Sequence, residues 1–162
     1  MKSTISALST LCITVLFSIS ASDAYATNSI AKTKLSVKTS VVEVNGVREI
    51  EAGDYKAGIR KSKASLRKSS AASIRKPLLD NLCAAHIAID DIQQATQYCN
   101  AAVSTGRPSS ISYNNRAVMH YIAGNVQASI DDLETAQDLG MFNTVVSNNM
   151  LTISQHSMLS KN

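Results

Sequence analysis

A 34-residue period limits what this chain can fold into more than any other feature of its sequence. Asn81, Asn115 and Asn149 share one register, and the same shift pairs His86 with His120, Ile92 with Val126, Ala95 with Ser129 and Ala102 with Ala136. An earlier copy begins near Thr39, with a three-residue insertion before the second. Its Ala52-Gly53-Asp54-Tyr55 returns as Ala123-Gly124-Asn125-Val126, a helix–turn–helix signal. A unit of this size cannot bury an apolar face alone, so the copies must stack. Composition agrees with a helical reading. The 162 residues include no Trp, only 6 Gly and 2 Pro, and 4% aromatics, which disfavours a β-sandwich.

A period of 34 residues with a turn near its fifteenth position resembles the tetratricopeptide repeat (TPR). The small residues at repeat positions 8, 20 and 27 carry the resemblance: Gly46, Gly58 and Ser65, then Cys83, Ala95 and Ala102, then Ala117, Ser129 and Ala136. In the second copy Asp90 stands where the turn glycine belongs. The resemblance implies an all-α, right-handed solenoid of about three helix–turn–helix repeats, over 39–72, 76–109 and 110–143. A capping helix over 143–157 follows. Each helix also reads on its own: Tyr55, Ile59, Ser62 and Leu66 form one stripe, with Lys56, Arg60, Lys63 and Arg67 beside it.

Residues 1–26 read as a secretory signal peptide. Lys2 gives a positive start, Ser3–Ser22 carry no charge, and Ala24-Tyr25-Ala26 supplies small residues at a cleavage site. Residues 27–38 then read as a flexible N-terminal segment before the 39–158 repeat domain. Cleavage would leave Cys83 and Cys99 in an oxidising periplasmic or extracellular compartment, where an even pair reads as a disulfide. Two free buried thiols and redox chemistry are the alternatives. In the repeat register the two cysteines fall at positions 8 and 24, on helices that fold back on each other.

No nucleotide-binding, zinc-protease or serine-hydrolase motif is present, so no catalysis, metal or cofactor is expected. His86 and His120 read as packing residues, His156 as a residue without a partner. Asp90-Asp91 and Asp131-Asp132 read as solvated or capping carboxylates. Charge is uneven: Thr27–Leu79 carries 12 Lys+Arg against 4 Asp+Glu, and Asp80–Asn162 carries 3 against 7. Export argues against a nucleic-acid partner. An anionic envelope surface remains an option for the basic patch of Lys56, Arg60, Lys63 and Arg67. The TPR resemblance further implies a concave groove that takes a partner's peptide or helix. Carried over residue by residue, the groove is Ser40, Glu43, Val47, Ile50, Pro77, Asp80, Ala84, Ile87, Ile111, Asn114, Val118 and Tyr121, with Tyr121 as an exposed anchor. The function expected is that of a non-catalytic adaptor for another protein, with envelope binding through helix 55–69 as the alternative.

Overall fold

Seven helices and no strand make up the described residues of the computed structural model, 35–140 and 143–159. They are α1 (Val47–Glu51), α2 (Tyr55–Lys68), α3 (Ala72–Ala88), α4 (Ile92–Ser104), α5 (Ser110–Ile122), α6 (Val126–Asp138) and α7 (Asn143–Leu159). The expected signal segment 1–26 lies outside the described residues, as do 27–34.

The 34-residue period is visible in the helix bounds, since α3–α4 and α5–α6 end at residues one period apart. Each pair is closed by the same backbone device. Gly53, Asp90 and Gly124 take φ of 83°, 62° and 83°, the left-handed conformation that stops one helix and turns the chain into the next. Asp90 does this without glycine's freedom, an acceptable choice because short polar side chains tolerate that region. Two of the following helices start on side-chain caps: Asp54 accepts from the Ala57 N–H at 3.0 Å, and Asp91 from the Gln94 N–H at 3.2 Å. Carbonyls at the far ends repeat as well. Lys76 Nζ donates to the Ala102 carbonyl at 2.7 Å, and Ser110 Oγ, one period on, donates to Ala136 at 2.9 Å.

Packing joins each helix to its sequence neighbours and also joins α1 to α3, α3 to α5 and α5 to α7. The small positions explain how the helices come so close. Eight of the nine are buried, and Ser65 is half-buried. Ser129 Oγ uses the short distance to donate to the Ala117 carbonyl at 2.8 Å. Cys83 and Cys99 form a disulfide between α3 and α4, with Cα atoms 4.9 Å apart. One period on, Ala117 and Leu133 occupy these positions, both fully buried. α3 is central: Pro77 through Ile87 are all buried, so this helix has no solvent face along that stretch.

The first repeat departs from the expected register. A full helix was expected from about residue 40, but only Val47–Glu51 is helical. Gly46, at φ 96°, begins α1 in a conformation through which no helix can be continued backwards. α3 instead starts four residues before the expected repeat boundary, at Ala72. The Arg75 guanidinium holds the Leu66 and Ser69 carbonyls at 3.1 and 2.9 Å and so ties this early turn to the end of α2.

Gly58 sits inside α2, where alanine would ordinarily be favoured by about 1 kcal/mol. A Cβ there would lie 2.4 Å from Ile50 Cγ1 and 2.9 Å from the Gly46 carbonyl oxygen. Gly58→Ala is therefore expected to lower stability by about 1–3 kcal/mol, measured by urea unfolding. An increase in stability would mean that α1 and α2 are not in close contact.

Candidate functional site

The sequence Leu35-Ser36-Val37-Lys38 alternates apolar and polar residues, the pattern of a half-buried extended chain. Such a chain has unpaired N–H and C=O groups along both edges. In this protein one of these edges is met by side-chain amides. Asn149 Oδ1 accepts from the Ser36 N–H at 2.8 Å while its Nδ2 donates to the Ser36 carbonyl at 2.8 Å. Asn115 does the same for Lys38, at 2.8 and 2.7 Å. Asn81 Oδ1 accepts from the Ser40 N–H at 2.7 Å. Three asparagines one period apart thus hold three backbone residues two apart. The segment runs opposite to the order of the helices, from α7 past α5 to α3.

The ladder is itself braced. Asn114 Nδ2 adds a bond to the Ser36 carbonyl at 3.0 Å, and Asn149 Nδ2 donates to Asn114 Oδ1 at 2.8 Å. Asn81, Asn114, Asn115 and Asn149 are all at most 2% exposed. Between the clamps, the apolar side chains point inward. Leu35 packs against the cluster of Ala117, Tyr121, Leu133, Val146 and Ile153, and both Leu35 and Val37 pack against Cys83, Ile87, Val118 and Met119. Ser36 and Lys38 are exposed.

Residues 35–38 were expected to be flexible; they are instead fixed by five of these hydrogen bonds and two apolar contacts. The expected groove residues divide into two groups. Ile87, Asn114, Val118 and Tyr121 lie against the segment or in the clusters under it. Ala84 is buried on α3. Glu43 is on the loop before α1, exposed and ion-paired with Arg48, and Val47 and Ile50 are buried on α1. Tyr121 is not an exposed anchor: it is 5% exposed, with its hydroxyl 2.6 Å from His156 Nδ1. His156 accordingly has the partner that its place in the sequence did not suggest.

Other candidates resolve into structural roles. Asp132 is not solvated; Arg116 grips it with two bonds of 2.6 and 2.7 Å, and it is buried. His86 stacks on Tyr98 with centroids 5.3 Å apart and lies 3.1 Å from the Asp91 carboxylate; burial holds its pKa below the ordinary value. On α2, Lys56, Arg60 and Arg67 are exposed, whereas Lys63 is half-buried with its ammonium 5.4 Å from the Tyr98 ring centroid. Among the described residues no three His, Cys, Asp or Glu side chains are grouped as a metal site would require.

Among the described residues, Asp80 is the strongly perturbed acid. Burial between α3 and α5 raises its pKa to about 6, against opposing contributions from the Ser112 hydroxyl, which donates to it at 2.7 Å, and from Lys76. The register had shown Asn81, Asn115 and Asn149 as repeat marks, but not as ligands for a backbone. The available signal was a buried-type amide recurring on otherwise apolar inner faces. No family model, no curated protein and no solved structure matches this chain.

Two outcomes follow. The folded protein keeps a proton on Asp80 between roughly pH 4 and 6 that the unfolded chain has released, so stability falls as pH rises through that window and is level above it. Asp80→Asn should flatten this slope and stabilise the protein at pH 7 by on the order of 1–3 kcal/mol, measured by urea unfolding across pH. An unchanged slope would mean that Asp80 ionises freely. Asn115→Ala removes both bonds to Lys38 and should speed tryptic cleavage after Lys38 at least tenfold while the helical spectrum is retained, the loss of two bonds being worth about 1–3 kcal/mol. Unchanged cleavage would show that the clamp does not hold the segment.

Proposed function

We propose that this chain is a non-catalytic protein-interaction module of the TPR kind, acting in the periplasm or cell envelope after export. The neighbour and next-neighbour helix packing supports a short right-handed solenoid, with α3, α5 and α7 along its inner side. The clamp spacing supports curvature. Two residues of extended chain advance about 6.6–6.8 Å, less than the roughly 8–10 Å between packed helix axes, so one amide per helix can meet every second residue only on the shorter inner side of a curved stack.

The single observation that carries the reading is the asparagine ladder. A carboxamide offers one acceptor and one donor side by side, the complement of one residue's N–H and C=O. Side chains placed this way read an extended backbone. A helical ligand uses those groups internally and has none to give, so an extended partner segment is favoured over a helix. The disulfide is compatible with an exported location.

The exposed cations of α2 support a second reading, adhesion to an anionic envelope surface, each cation near such a surface contributing about 1 kcal/mol. One experiment separates the two. The exported chain is crosslinked in cells and captured as three forms: unmodified, Asn115→Ala, and Arg60→Glu with Arg67→Glu. Loss of a specific crosslinked protein in the Asn115 variant alone is the expected result. Loss of the crosslink and of binding to anionic vesicles in the α2 variant alone would replace the groove reading with the surface reading.

A further inference from the structure

The ladder is complete at two of its three rungs. Asn149 and Asn115 each accept from and donate to their residue, but Asn81 only accepts. Its Nδ2 is buried, with no hydrogen-bond partner, on a side chain that is 0% exposed. The reason is the path of the chain. Just past Ser40 the backbone bends at Val41 and Val42, the Ser40 hydroxyl accepts from the Val42 N–H at 3.1 Å, and the chain leaves the groove to reach α1 only seven residues after Ser40. Val41 and Val42 are left 67% and 47% exposed by this exit. A segment tethered in cis cannot continue straight past α3, so the third carbonyl is never delivered.

We infer that Leu35–Ser40 is an intramolecular plug standing in for an extended segment of a partner protein, one with apolar side chains two residues apart and a backbone that continues straight across Asn81. The inference rests on the groove reading above. Three observations favour such a ligand. Recognition is mainly through backbone, so the side chains it demands are few. The plug's own anchors, Leu35 and Val37, are only half-buried. An untethered strand satisfies the buried Asn81 donor that the plug leaves open, which a buried polar group strongly favours. The partner need match only the Leu-x-Val spacing and run from α7 toward α3. Partner binding would then expel residues 35–40 from the groove, so the free protein holds its own site closed.

The probe is a fluorescent peptide with the sequence of residues 34–43, titrated into the full exported chain and into its Leu35→Ser/Val37→Ser variant. The expected result is at least tenfold tighter binding to the variant, whose plug is weakened, and loss of that gain when Asn115→Ala is added. Equal binding to both chains, or none to either, would overturn exchange of the plug. Retained crosslinking of a partner through the groove in the same preparation would show that the groove reading survives that failure. Should the double variant not fold, amide exchange in the unmodified chain decides. The Ser36, Lys38 and Ser40 amides should exchange at least a hundredfold faster than those of central α3 and α5, because the plug opens without unfolding; equal rates would overturn the inference. A dimer in sedimentation that dissociates on adding peptide would assign the groove to a second copy's segment and overturn the partner.

Discussion

A buried peptide group must be paired, and that constraint organises the face that α3, α5 and α7 turn to residues 36–40. Helices satisfy their own backbone, so stacking them leaves a face with nothing to offer an extended chain except side chains. Asn81, Asn115 and Asn149 supply what is missing. Each is buried and each faces one residue of the segment 36–40. The 34-residue period therefore does two things at once. It places small residues where helices touch, and it places carboxamides where a strand can lie.

The two roles depend on each other. The ladder works only if α3, α5 and α7 are held at a fixed spacing, and that spacing is set by the small contacts, by the Cys83–Cys99 bridge and by the repeated capping of Ala102 and Ala136 by Lys76 and Ser110. Conversely, Leu35 and Val37 cover apolar side chains of both core clusters, so the segment contributes to the packing of the helices that hold it. The face that holds the segment and the core are one surface here, and Val118 and Tyr121 are deeply buried in it.

Much of the helical part was legible in the sequence because it depends on local rules. Left-handed turns at Gly53 and Gly124, caps at Asp54 and Asp91, and small residues at three repeat positions all follow from short-range chemistry. The disulfide followed from an even cysteine pair one helix turn-back apart. What was not legible depends on contacts across more than two repeats. Asn149 meets Ser36 across 113 positions, and nothing near Ser36 announces it. The alternation over residues 35–38 was visible but lay upstream of the repeats, in a stretch read as flexible. The same long-range contact also accounts for the shortened first helix, since a chain drawn out to Ser40 cannot be helical there. Asp132 was misread for a related reason: it looks exposed on its own helix, and only the α5–α6 contact, with Arg116 gripping it, buries it.

The claim on which this account stands is that the carboxamides grip the backbone of residues 36–40. Nuclear Overhauser contacts of the asparagine side-chain amides in the isotope-labelled full chain test it most directly. The account predicts contacts from the Asn149 Nδ2 protons to Ser36 and from the Asn115 Nδ2 protons to Lys38. It also predicts slowed solvent exchange of both amides. Random-coil shifts for Ser36, Lys38 and Ser40, with no such contacts in a folded helical protein, would contradict it.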